Sequence, residues 1–180
     1  MLTFPNAKIN LGLNIVERRS DGYHNLETIF YPIALSDVLE IVPAKGDDST
    51  LTTYGNPVDC PVEKNLVIKA LRLMQQHYQV HEVDVYLYKH IPDGAGLGGG
   101  SSDASSTILM LNEMFELGIA RDELASLAAT LGADCPFFIY NQPMMATGIG
   151  DVLTPIDVSL KGLYLYLVKP AVSVPTKVAY

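Results

Sequence analysis

Along residues 7–16 the chain alternates: Ile9, Leu11, Leu13 and Ile15 fall on one side, Lys8, Asn10, Gly12 and Asn14 on the other. A period of two predicts a strand with one core face and one polar face. RRSDGY then reads as a turn, with Asp21-Gly22 its strongest signal. LETIFYPI and DVLEIVP predict two further strands, and AKGDDST a surface loop. The period changes at EKNLVIKALRLMQQHY, where Leu66, Ala70, Leu73, Met74 and Tyr78 share one side of a helix. VDVYLYK returns to alternation and leads into IPDGAGLGGGSSDAS. DASSTILMLNEMF predicts a helix starting near Ser102. ARDELASLAATLG predicts another, with Asp122 near its start and Gly132 as its C-cap. DCPFFIY and LKGLYLYLVKP predict short strands. Strands in adjacent runs, with helices after them, define an α+β fold class rather than strict βαβ alternation.

Composition narrows the class. With 180 residues, 48% of them hydrophobic and 18% charged, the chain fits a globular domain and the beginning of a second. Its longest apolar runs fall short of the ~20 residues that cross a bilayer. MLTFPNAKINLGLN has neither the basic nor the apolar region of a signal peptide. Two cysteines in unrelated contexts form no disulfide framework, so a reducing, cytoplasmic compartment is expected. A net charge of −8 argues against nucleic acid and anionic membrane as partners. It leaves room for a small anionic ligand, provided the anion site is built locally.

The glycines supply such a site. Five of the seven residues from Gly94 to Gly100 are glycine, and they lie between a predicted strand and a predicted helix. A helix start offers unpaired N–H groups and the positive end of its dipole, and glycines before it admit a bulky anion to the backbone. The stretch therefore predicts a phosphate cradle, with Ser101, Ser102, Ser105 and Ser106 adding hydroxyls. Gly94, Gly96 and Gly99 satisfy the dinucleotide pattern G-x-G-x-x-G literally. The acidic residue which that fold needs ~20 residues on would fall at Glu113 or Glu116, inside the helix. The loop also lacks the lysine of a P-loop. Phosphate charge must be offset from elsewhere, and Mg²⁺ is the expected counterion, its ligands left open.

Two polar pairs stand out. Lys8 is a lysine inside a strand, ordinarily an edge position, and Asp134 in LGADCPFF is ordinarily a turn former. Adjacent to each other they would make a different unit: a lysine keeps a carboxylate ionised, and an ionised carboxylate can accept a proton from a hydroxyl. Tyr23 and His24 follow the Asp21-Gly22 turn, where an aromatic beside a hydrogen-bonding ring could read a planar base or could equally be a half-buried structural pair. His77 and His81 have i,i+4 spacing without a third ligand, so a zinc site is not expected there.

PNAKINLGLNIVERRSDGYHNLET, IPDGAGLGGGSSDAS, LGADCPFF and PAVSVPT, in that order, resemble the GHMP kinase superfamily over nearly the whole chain. The glycine loop alone marks the superfamily; RRSDGYHNLET and SVPT bear on the substrate. The resemblance implies an ATP-dependent kinase that phosphorylates the 2-hydroxyl of a cytidylated methylerythritol in the non-mevalonate route to isoprenoid precursors. It implies Asp134 as general base with Lys8 orienting it, and Asn10, Tyr23, His24, Thr176 and Tyr180 as substrate contacts. It implies nucleotide contacts at Asn65, Lys89 and Pro92 and along the loop Gly94, Ala95, Gly96, Leu97, Gly98, Gly99, Gly100, Ser101 and Ser102. The implied fold is a ribosomal protein S5 domain 2-like N-terminal domain, residues 1–158, followed by the opening segment of a ferredoxin-like domain, residues 159–180. The family carries a further ~100 residues, the length of a second domain, so a truncated form is expected. The alternatives are a kinase of the mevalonate or homoserine type and a nucleotide-binding module without catalysis. Oligomeric state is not legible.

Overall fold

The computed structural model describes residues 1–58 and 60–170. Two four-stranded sheets share the chain. One is ordered β1 (Leu2–Thr3), β4 (Val38–Pro43), β6 (Val83–Lys89), β5 (Thr50–Gly55); the other β2 (Asn6–Arg18), β3 (His24–Ser36), β7 (Met144–Thr147), β8 (Val152–Pro155). Every pairing is antiparallel except β5 with β6, which are parallel and joined through helix α1 (Leu66–His77). A parallel pair needs a crossover of this kind, so one βαβ unit sits inside the expected α+β class. β5 was not legible: its first residue ends the predicted loop, and its burial is slight.

Helices α2 (Gly99–Met114), α3 (Arg121–Ala129) and α4 (Cys135–Tyr140) complete the domain. The main core lies between the first sheet and the helices. Leu39, Ile41, Val85 and Leu87 meet Val67, Leu71 and Met74 of α1 and Ile108 and Leu111 of α2. A second, aromatic cluster joins Phe30 of β3, Met144 and Ala146 of β7 to Phe137 and Phe138 of α4.

Five expectations are corrected. CPFFIY is helix α4, not a strand. A short apolar run does not distinguish the two, and here Pro136 opens a helix. Cys135 and Ile139, four apart, enter the main core while Phe137 and Phe138 enter the aromatic cluster, so the run must be apolar on two sides. Residues 161–170 of the second predicted strand form no strand, and Tyr164 and Tyr166 are exposed. The alternation of β2 does not mark a core face along its length. Ala7 and Lys8 are buried, but Leu13 and Ile15 are exposed. β7 pairs β3 only at Thr28–Phe30, so beyond that point β2 and β3 form an arm that is two-stranded among the described residues. The helix expected from Ser102 begins earlier, at Gly99, because Gly98 itself is its N-cap. The C-cap of α3 is Thr130 rather than Gly132.

Candidate active site

The glycine stretch forms a cleft of about 270 Å³ between the end of β6, the start of α2 and the start of α1. Gly98 sets its floor. It is left-handed, with φ 70°, and a Cβ there would lie 2.8 Å from the Phe138 ring and 3.2 Å from Cγ of Lys8. Gly99 is also closely approached, at 2.9 Å from Cγ2 of Ile91 and 3.3 Å from Nζ of Lys89. Both contacts are with protein, so part of the glycine content is explained by packing of the loop onto its own domain. Gly94 and Gly96 instead face open space.

Of the residues expected to meet a nucleotide, Lys89, Pro92 and Gly94 through Ser101 line the cleft. Asn65 and Ser102 do not. Asn65 is the N-cap of α1, its side chain accepting from the Val67 N–H at 2.9 Å, and it delivers Leu66 to the cleft wall. Ser102 is buried in the first turn of α2. Leu66, Ile91 and Asp93 line the cleft as well and were not legible as site residues.

Beside the floor, Lys8 and Asp134 come together. Their charged atoms are 3.3 Å apart, the lysine buried and the aspartate about one-third exposed. The N-cap position of α4 holds Asp134, yet its side chain makes no capping bond, so the carboxylate is directed at Lys8 instead. Lys8 reaches from β2, whose backbone is tied to the glycine loop by the Lys8 N–H donating to the Leu97 carbonyl at 2.9 Å. Its ammonium also donates to Asn10 Oδ1 at 2.8 Å and lies 4.7 Å from the centre of the Phe30 ring. Asn10 donates in turn to Thr28 Oγ1, and Thr28 donates to the carbonyl of Gly12, where a bulge interrupts the β2–β3 ladder. Lys8, Asn10 and Asp134 are thus one hydrogen-bonded group at the edge of the cleft.

Tyr23 and His24 are not in that group. They sit at the outer end of the arm, where His24 pairs with Arg18, ten residues along β2 from Lys8, and Tyr23 is 62% exposed. Thr176 and Tyr180 lie outside the described residues. His77 ends α1 and His81 lies beyond its C-cap against the Phe115 ring, so their spacing is not that of one helix face. Among the described residues no group of three His, Cys, Asp or Glu could hold a metal ion.

The cation missing from the loop comes from the strand before it. Lys89 ends β6 buried against the Asp37 and Asp103 carboxylates, the latter at 2.6 Å. Burial works against the ammonium, but Asp103 and Asp37 outweigh it and hold Lys89 above the ordinary lysine range. Asp37 is the single residue between β3 and β4, where the chain passes from one sheet to the other. It also accepts the backbone N–H groups of His90 at 2.5 Å and Ile91 at 2.7 Å, fixing the entry to the loop. Neither aspartate carries a sequence signal: one reads as a turn residue, the other as an ordinary member of a helix.

The family described as GHMP kinases N terminal domain matches residues 65–142, from the N-cap of α1 through α4. A protein of Parabacteroides distasonis named 4-diphosphocytidyl-2-C-methyl-D-erythritol kinase is 56% identical over the whole chain, which covers 66% of it. One of the same name from Azobacteroides pseudotrichonymphae is 51% identical, with 67% of it covered. Among solved structures, a 4-(cytidine 5'-diphospho)-2C-methyl-D-erythritol kinase matches with a TM-score of 0.75 at 37% identity, covering 92% of this chain and 61% of that one. The Methanococcus jannaschii mevalonate kinase matches in fold, with a TM-score of 0.64 at 16% identity, covering 88% of this chain and 56% of that one. The chain spans about 66% of the length of the first of these curated relatives. A glycine cradle at a helix start with this α+β frame around it is that of the GHMP kinases, and the chain belongs to them. Within them it belongs to the family of 4-diphosphocytidyl-2-C-methyl-D-erythritol kinases.

Proposed function

We propose that the protein transfers the γ-phosphoryl group of ATP to the 2-hydroxyl of 4-diphosphocytidyl-2-C-methyl-D-erythritol, in the non-mevalonate synthesis of isoprenoid precursors. The observation that carries this reading is the Lys8–Asp134 pair, held at the edge of the cleft by the backbone bond from Lys8 to Leu97. The carboxylate is paired with a lysine and is exposed enough to meet a substrate. It takes the proton of the hydroxyl as that oxygen attacks the γ-phosphorus in line, and ADP leaves. Lys8, itself fixed by Asn10, holds the carboxylate in place.

ATP enters as its magnesium complex, the ion neutralising β- and γ-oxygens as part of the substrate. This accords with a cleft lined by the start of α2 and by Lys89, with Asp93 the one acidic side chain among its lining residues. The N–H groups at the start of α2 cradle the phosphates. Tyr23 and His24, on the arm, read the cytosine, and Thr176 and Tyr180 add substrate contacts. The frame is then of the ribosomal protein S5 domain 2-like type, with a ferredoxin-like domain beginning at residue 159, working in the cytoplasm.

Replacing Asp134 by alanine is expected to lower turnover at least ~100-fold while leaving the affinity for Mg-ADP within a factor of about two, since a general base acts on the hydroxyl and not on the nucleotide. Near-normal turnover would remove Asp134 from the role.

A further inference from the structure

Under the floor of the cradle lie three ionisable side chains. Lys89, Asp37 and Asp103 are all buried. Asp37 is satisfied as an anion: it pairs with Lys89 and accepts two backbone N–H groups. With Lys89 it forms a neutral unit. Asp103 is then a second carboxylate for one ammonium. Its Oδ2 meets Lys89, while its Oδ1, equally buried, has no hydrogen-bond partner. An ionised oxygen left bare in the interior is costly; a protonated one is less so. Burial pushes the Asp103 carboxyl up to about 7, against the pull of Lys89 and with Asp37 adding to the rise. Near neutral pH the two forms are balanced.

The cluster adjoins the site. Lys89 lines the cleft, and its Nζ lies 3.3 Å from where a Cβ of Gly99 would be, in the first turn of α2. Phosphates arriving over that turn bring further negative charge close to a second buried anion, which favours its neutral form. The groups acting on Asp103 are Lys89 and Asp37. The charged and titratable residues on the other elements packed against α2, namely Lys69, Arg72 and His77 of α1, Arg121, Asp122 and Glu123 of α3, Asp134 before α4, Lys8, Glu17 and Arg18 of β2 and Glu40 of β4, are not among the groups that act on it.

We propose that Asp103 is the positioning residue of the cradle's lysine, and that its carboxylate takes up one proton from solvent, at Oδ1, when a nucleotide's phosphates occupy the glycine loop. Asp37 then remains the one anionic partner of Lys89, and the ammonium acts on the phosphates. The inference rests on the nucleotide reading of the same cleft. By linkage, nucleotide affinity falls as pH rises through the titration of Asp103.

Calorimetric titration with Mg-ADP, in buffers of unlike ionisation enthalpy at pH 7, compares the native chain with Asp103→Asn. The ring of His90, exposed beside the loop, is common to both. A carboxyl half-ionised at pH 7 should give the native chain an uptake of about half a proton more than the variant. Between pH 7 and 8.5 native affinity should fall about tenfold further than that of the variant. Equal proton uptake in the two proteins would overturn the inference and leave nucleotide binding standing. Absence of binding by either would remove the nucleotide reading and this inference with it. Should the variant fail to fold, the side-chain carboxyl ¹³C resonance of Asp103 in the native chain decides: its midpoint rises on adding Mg-ADP, and an unmoved midpoint overturns the inference.

Discussion

Gly98 meets two demands at once: a left-handed backbone, and a space bounded by Phe138 on one side and the stem of Lys8 on the other. Any side chain there would separate the loop from the Lys8–Asp134 pair. Gly98→Ala is therefore expected to destabilise the fold by about 1–3 kcal/mol and to weaken Mg-ADP binding at least tenfold, read by denaturant melts and by nucleotide titration. An unchanged melt and affinity would contradict the packing described. Residue types at the site were legible, and their partnerships were not. Lys8 and Asp134 could be singled out as a lysine and a carboxylate of the right chemistry. Asp37 and Asp103 could not, because what distinguishes them is Lys89, 52 and 14 residues away along the chain.

α4 shows why elements are harder to read than residues. Six residues carry two packing faces, one for each core, and the aromatic cluster depends on it: Phe137 meets Phe30 at 5.3 Å and Phe138 at 5.0 Å, both edge-on. Phe138 in turn backs Gly98. Phe137→Ala should cost about 3–5 kcal/mol and, by loosening Phe138, should lower nucleotide affinity too; a chemical melt with and without Mg-ADP measures both. A loss of stability alone, with affinity intact, would show that the cradle does not lean on the aromatic cluster. α1 and β6 were located by their apolar spacing, but α1 buries Val67, Ile68 and Leu71 beside Ala70 and Met74 and leaves Leu66, Leu73 and Tyr78 only half-buried. The alternation of β2 located the strand but not its burial, because burial depends on how far the neighbouring strand and helices extend.

At the scale of the whole molecule, the cleft lies where the two sheets exchange chain. β3 passes into β4 at Asp37, β2 is tied to the loop at Leu97, and α1 and α2 both begin at the cleft. This concentrates the glycine loop, the lysine–aspartate pair and the root of the arm in one region. The arm then carries Tyr23 and His24 outward, a placement suited to a substrate whose two ends need separate contacts. The most direct test is release of ADP from Mg-ATP by the protein, with 4-diphosphocytidyl-2-C-methyl-D-erythritol, mevalonate and homoserine offered in parallel. Turnover with the cytidylated alcohol alone is the predicted result. Turnover with mevalonate or homoserine, or with none of the three, would contradict the proposed function.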